Sequence, residues 1–225
     1  SADAALRGAV QVPVNDPTLL IPAMAAVTQH LGFGVTANLI YEQPFVFARR
    51  MSTLDHLTGG RIGWNIVTGY LDSAARAIGM DGQVAHDDRY DLADEYMALV
   101  YKLWEGSWDD DAVLADRARG VYADPAKVRA IHHHGPQYKV DAMHLCAPSP
   151  QRTPVLYQAG ASTRGRRFAA THAECVFVNG QKKEGVKDIV DDIRRQAVQL
   201  GRQAQDVQVF LCATLVVGRT DAEAQ

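Results

Sequence analysis

The sequence predicts an α/β fold built on a parallel sheet, and three observations carry that reading. Short apolar runs alternate along the chain with segments of helical periodicity. The runs are apolar at successive positions, as in strands covered on both faces, rather than alternating with polar residues. Gly59-Gly60 closes one helical segment as a C-cap should.

Taken in order, the strands are expected at 33–40 (FGVTANLI), 61–68 (RIGWNIVT), 155–158, 175–178 and 207–217 (VQVFLCATLVV). Helices are expected at 18–31, 44–57, 90–104, 164–172 and 183–200. The chain opens in a polar loop with no strand before the first helix, and "RTDAEAQ" reads as the start of a helix capped by Thr220 or Asp221. Between about 105 and 152 the pattern turns polar and irregular, which marks a long insertion. Insertions of this kind in α/β enzymes usually sit near the active-site end. Five strands are fewer than the eight of a closed (β/α)8 barrel, which typically needs ~250 residues. The expectation is therefore one domain over 1–225, a partial barrel with strands missing at both ends.

Bulk properties narrow the function classes. The 225 residues are 47% hydrophobic and 22% charged, with a formal net charge of −3. That is ordinary globular composition and makes no electrostatic case for nucleic acid. The three cysteines, Cys146, Cys175 and Cys212, fit neither a zinc spacing nor a disulfide framework, so a reducing compartment is expected. No run approaches the ~18 consecutive apolar residues of a membrane span. No basic segment followed by an apolar one opens the chain. The expected location is the cytoplasm.

Several residues could carry chemistry. In "VLYQAGASTRGRRFAATHAE" an apolar run ends in small residues and passes straight into a helix. Such a corner suits an anion, because the free N–H groups of a helix start point outward. It also suits an ordinary turn with Ser162 as N-cap and solvated arginines. Asn65 lies inside an apolar strand, where an unpaired amide costs about 1–3 kcal/mol. It is either a structural amide bonded to a nearby loop or a ligand contact at a strand end, and Thr36 poses the same choice. His86 and Tyr90 in "HDDRYD" fall one turn apart if a helix begins near Asp87 or Asp88, so both could meet one ligand. Otherwise one of those aspartates caps the helix and Tyr90 packs. His132-His133-His134 invites a metal reading, but successive residues of an extended segment face opposite sides. A role in the insertion is preferred, and no metal is expected. The acidic "WDDDAVLAD" lacks the glycine and terminal Glu of a calcium loop and reads as a solvated run. No nucleophile elbow, Walker A or dinucleotide fingerprint is present, so no catalytic residue is assigned.

Five motifs occur together in one order: "ARRMSTLDHLTGGRIGWNIVTG" (48–69), "HDDRYDLADEY" (86–96), "ADPAKV" (123–128), "HHGPQY" (133–138) and "PVLYQAGASTRGRRFAATHAE" (154–174). From about Pro17 onward the chain resembles the bacterial-luciferase-like flavin enzymes, in the group of the nitrilotriacetate, EDTA, dibenzothiophene-sulfone and dimethyl-sulfide monooxygenases. The resemblance implies a (β/α)8 TIM barrel carrying FMN, bound as FMNH2, at the C-terminal ends of its strands. It implies a two-component monooxygenase fed by a separate NAD(P)H:flavin reductase, in which a flavin C4a-peroxide formed with O2 oxidises a small sulfur- or nitrogen-containing compound. A homo-oligomer, dimer or tetramer, comes with it. By motif, Ser162 and the backbone near Ala161 would bind the FMN phosphate, with His86 and Tyr90 at the phosphate or ribityl end. Thr36 and Asn65 would approach the ribityl chain or the ring. A related F420-type oxidoreductase and a catalytically incompetent fragment are the alternatives.

Overall fold

The computed structural model describes residues 2–10, 12–180, 182–213 and 215–224. Its elements in chain order are helices α1 (Ala2–Gly8) and α2 (Ile21–Ala26), strand β1 (Phe33–Asn38), α3 (Pro44–Thr58), β2 (Ile62–Val67), α4 (Asp72–Ala77) and α5 (His86–Gly106). The strands β3 (Val113–Asp116), β4 (Val121–Ala123), β5 (Ile131–His134) and β6 (Lys139–Ala142) follow. The chain then runs through β7 (Val155–Ala159), α6 (Thr163–His172), β8 (Cys175–Val178), α7 (Lys183–Gln199), β9 (Gln208–Leu211) and α8 (Asp221–Ala224).

Five strands form one parallel sheet in the order β1-β2-β7-β8-β9, each joined to the next through helices. The sheet is open, as the strand count predicts, because helical crossovers set parallel neighbours side by side and nothing among the described residues links β1 to β9. Its buried face packs on helices. From α3 come Phe47, Met51 and Leu54, and from α5 come Tyr96, Met97, Val100, Leu103 and Trp104, at the i, i+3, i+4 spacing of one helical stripe. They close over Trp64 and Ile66 of β2. A second cluster joins Ala169, Val176, Val178, Ile193 and Ala197 from α6, β8 and α7. Helix α3 starts with Pro44 at its first position and ends on Gly59 at φ 62, a left-handed conformation that glycine adopts without strain.

Several boundaries depart from the sequence expectations. The helix expected over 18–31 is a 3-10 turn at Pro17–Leu19 followed by the short α2. Arg61 draws the following backbone out of the helix: its guanidinium bonds Ala25 O, Leu31 O and Thr28 Oγ1. Strand β1 stops at Asn38, whose side chain accepts from Ile40 N and turns the chain. The strand expected over 207–217 is only Gln208–Leu211. An edge strand has one partner, and pairing with β8 ends at Leu211; Thr214 lies outside the described residues. Helix α5 begins four residues early, at His86, with Ala85 at the cap position and no side-chain cap, so neither Asp87 nor Asp88 caps it. The opening segment is helical rather than a loop, and α4 was not expected. The strands are not covered on both faces: Thr36, Phe177 and Phe210 lie on the exposed face.

The insertion is more regular than its composition suggests. It holds two antiparallel ribbons, β3-β4 and β5-β6. In the second, the three histidines alternate as extended geometry requires. His132 and His134 both pair with Asp141 on the outer face, at 2.7 and 2.6 Å. His133 turns inward to Glu95 of α5 at 3.1 Å. That carboxylate also accepts from Tyr138 N and Gln137 N, and so pins the ribbon to the helix. The other end of the insertion is fixed by buried Asp55, which takes both the backbone and side-chain N–H of Gln151.

Between these anchors, buried His144 bonds Ser52 Oγ at 2.9 Å. Burial pushes its imidazole down to about 4 from the ordinary 6.5. The unfolded chain therefore takes up this proton near pH 6.5, and the folded chain only near pH 4. Stability is fully present above pH 6.5 and falls as the pH drops toward 4, by up to about 3 kcal/mol from this group. Urea unfolding across pH 4–7 is expected to show that loss. A His144→Asn variant is expected to be less stable at pH 7 but flatter across the window.

Candidate functional site

The C-terminal ends of β1, β2 and β7 open into a cleft of about 890 Å³. Parallel strands place all their C-terminal loops on one side, so residues distant in sequence meet there. Thr36 comes from β1, His86 and Tyr90 from the first turn of α5, and Ala161 and Ser162 from the turn into α6; all five line the cleft. Asn65, the register partner of Thr36 on β2, is not among the residues that line it. Its Nδ2 donates to Thr36 Oγ1 at 2.9 Å, while its Oδ1 is buried without a partner. The structural choice posed for this amide is met on a neighbouring strand rather than a loop, and its oxygen is left unspent.

The corner at 160–163 is packed tightly. Ser162 caps α6 by accepting from Gly165 N at 3.0 Å. The first intrahelical bond runs from Arg166 N to Ser162 O, so the N–H groups of Thr163 and Arg164 precede it and remain the free end of the helix. The Tyr90 hydroxyl fills the space between two glycines: a Cβ would meet it at 3.1 Å from Gly160 and at 2.8 Å from Gly165. Only glycine permits that approach. Burial pushes the Tyr90 phenol up from its ordinary value, so it stays protonated at neutral pH and can donate. The His86 ring lies 5.3 Å from the Tyr90 ring, one turn away on the same helix.

The arginines after Ser162 are not simply solvated. Arg164 stacks over the Tyr90 ring at 5.4 Å and pairs with Asp91 and Asp94 of α5. Arg166 pairs with Asp192 of α7, and only Arg167 is exposed among the three. His172 adds a bond to Asp94 and another to Tyr101. These bonds hold α6 against α5 and so fix Ser162 beside Tyr90.

The rest of the wall is mostly apolar, with Ala37, Ile66, Val67, Leu71 and Phe168, and Tyr41 and Tyr70 at exposed positions. The cations within reach are already neutralised or engaged: Arg50 pairs with Glu42 at 2.6 Å, and Arg89 bonds Val84 O. The cleft is thus suited to a ligand with an anionic end for the α6 N-terminus, an apolar body, and hydroxyl or N–H donors for unpaired amide oxygens. Gln158 was passed over in the sequence reading. It is 2% exposed, lines the cleft, and has a buried Oε1 without a partner. Its signal was the one that marked Asn65, an amide inside an apolar strand.

Comparison with known proteins identifies the wider group. Residues 4–225 match the family model of luciferase-like monooxygenases. The chain is 56% identical over 225 residues to dimethyl-sulfide monooxygenase of Hyphomicrobium sulfonivorans, covering all of this chain and 47% of that one. Its structure superposes on a long-chain alkane monooxygenase with a TM-score of 0.92 at 56% identity, over 99% of this chain and 51% of the other. A riboflavin lyase described with modified FMN and riboflavin gives 0.91 at 45% identity, over 98% and 49%. The chain spans about half the length of the relatives it matches. With a family match over almost every residue and majority identity to a named monooxygenase, the chain belongs to the luciferase-like monooxygenase family.

Proposed function

We propose that this chain holds FMN in the cleft above β1, β2 and β7 and forms the flavin-holding part of a two-component monooxygenase. The observation that carries the reading is the convergence of Thr36, His86, Tyr90, Ala161 and Ser162 on one cavity beside a helix N-terminus. The phosphate is assigned to the N–H groups that open α6, the Ser162 hydroxyl and the protonated Tyr90 hydroxyl, with His86 alongside. Thr36 lines the cleft, and the unpaired oxygen of Asn65 beside it offers an acceptor to a ribityl hydroxyl or ring N–H. The apolar wall accepts the ring system and keeps water away from it.

Reduced flavin, when bound, supplies O2 activation for the oxidation of a small sulfur- or nitrogen-containing compound. The chain's own residues bind, orient and shield. A separate NAD(P)H:flavin reductase is the proposed source of FMNH2. Such supply by diffusion fits a cleft that opens to solvent. Among the described residues no helix is long and apolar enough to cross a membrane.

Fluorescence titration tests the site. Tyr90→Phe with His86→Ala is expected to weaken FMN binding about 10- to 100-fold, because hydrogen bonds to a charged group contribute about 1.5–3 kcal/mol. Folding should change less, since His86 is exposed. Unchanged FMN affinity would return both residues to a structural role. Ser162→Ala is expected to weaken FMN and also to lower stability by about 1 kcal/mol through the lost cap. For the reaction, a panel of a sulfide, a sulfone and an aminopolycarboxylate is incubated with the protein, a flavin reductase, NADH and FMN. Oxygenated product is expected from one class only when the reductase is present; product formed equally without the reductase would rule out the two-component scheme.

A further inference from the structure

The end of the cleft away from α6 carries an ion pair that the reading above does not use. Strand β1 lies two strands from β7, about 10 Å at the ~4.8 Å spacing of neighbouring strands. The cleft therefore runs from Ser162, after β7, to the turn that follows β1, where Tyr41 and Glu42 line it. Arg50 of α3 lines the same end and holds the Glu42 carboxylate with both arms of its guanidinium, Nη1 to Oε2 at 2.7 Å and Nη2 to Oε1 at 2.6 Å. The side chains of Arg50 and Glu42 are 41% and 24% exposed, so the pair is open to what enters the cleft rather than sealed in the core.

Besides His86, the titratable groups of ordinary charge along the cleft are Asp16, Glu42, Arg50 and Arg89, and their charges cancel. Arg89 stands on the first turn of α5 with His86 and Tyr90, and its guanidinium donates to Val84 O at 2.6 Å. Asp16 turns its carboxylate to Thr18, accepting from Thr18 N at 2.9 Å and from the Thr18 hydroxyl. Arg50 is thus the cation of the β1 end, and among the described residues Glu42 is the carboxylate within ion-pair distance of it. A guanidinium fork on one carboxylate is the geometry that a carboxylate of a ligand would need. Glu42 already occupies that place, at the high effective concentration of a group on the same chain. An incoming carboxylate must displace Glu42 and strand its charge, or stay unpaired beside it, and both weaken binding. An uncharged body meets neither cost.

We infer that Glu42 is a specificity-determining residue: by neutralising Arg50 it makes the β1 end of the cleft select an uncharged, largely apolar substrate over one that carries a carboxylate. A thioether or a sulfone belongs to the selected class, and an aminopolycarboxylate does not. This rests on the reading of the cleft as a monooxygenase site and deepens it by naming the class of compound. The apolar wall of Ile66, Val67 and Leu71 fits the same class.

The experiment uses two probes of one shape, (benzylthio)acetate and (benzylthio)acetamide, which differ in charge. Their dissociation constants for the 225-residue chain are measured by chemical-shift titration in the presence of FMN, and the affinity for FMN by quenching of flavin fluorescence. The unsubstituted chain is expected to bind the amide about 10-fold more tightly than the acetate, the scale of one carboxylate left without a partner. Glu42→Gln keeps the shape of the side chain and frees Arg50. It is expected to tighten the acetate about 5-fold, the upper range for a partly exposed ion pair, and to leave the amide unchanged. Glu42→Gln with Arg50→Gln is expected to lose that gain. A pair that only braces the turn against α3 would lower the melting temperature of both variants and leave the ratio of the two probes as it was, which overturns the inference. So does an unsubstituted chain that binds the acetate as well as the amide, or binds neither probe, a test that requires no variant to fold. A gain for the acetate that survives in the double variant also overturns it. FMN binding without the preference for the amide removes this inference alone; absence of FMN binding removes the flavin reading and the substrate class with it.

Discussion

The packing of α5 on the sheet is the interaction on which the rest depends. Phe47 lies 4.5 Å from Trp64 between ring centroids, and Tyr96 and Trp104 of α5 close on the same pair at 5.9–6.5 Å. Rings of this size contribute large apolar area and prefer the tilted and edge-on arrangements seen here. The two indoles also satisfy their N–H groups in the core, Trp64 on Ala37 O and Trp104 on Ala48 O. With both polarity and shape met, α5 has one seat on β2. Its N-terminal turn is then carried to the strand ends, and His86 and Tyr90 arrive at the cleft as a consequence of contacts made about two to five turns away.

Helix α5 also decides where its neighbours go. Its acidic residues Asp91 and Asp94 hold Arg164 of α6, and Asp94 meets His172 at the other end of the same helix. Arg164 and His172 are largely covered and Asp94 is half-covered, while Asp91 stays exposed, so the Asp94 pairs give direction as well as energy. Further along, Glu95 gathers the β5-β6 ribbon through backbone N–H groups, so the insertion is fixed through main-chain atoms that any side-chain pattern would present. One helix therefore aligns the corner at the start of α6 on one side and the insertion on the other.

The cleft is arranged against stability in small ways. Asn65 and Gln158 each keep a buried amide oxygen unpaired, and Gly160 and Gly165 give up side chains so that Tyr90 can enter. A core selected only for stability would fill these places or pair them. The opposite face of the sheet is equally unfinished. Tyr157, Phe177 and Phe210 form a row across β7, β8 and β9 with centroids 5.6–5.9 Å apart, and Phe177 and Phe210 are 40% and 46% exposed. Such a face is the inner side of a barrel wall, which agrees with the coverage of about half of each relative.

The sequence by itself determined the order of the five sheet strands and of the main helices between them, and the family. These features rest on local apolar periodicity and on long contiguous motifs, which survive without knowledge of any distant contact. It also pointed to Ser162, His86 and Tyr90, because helix starts have a chemistry visible within a few residues. Element ends were decided by tertiary contacts instead. Arg61 unwinds the segment after Ala25 from more than thirty positions away, and the last strand stops where β8 stops pairing with it. The ribbons of the insertion were hidden because Glu95, which orders one of them, lies on a helix far earlier in the chain. Gln158 could be seen as an amide in a strand, but its place under Gly160 against Tyr90 exists only once β7 and α5 are packed. Local pattern specifies what forms, while the pairing of buried polar groups across the fold specifies where each element ends and which residues meet.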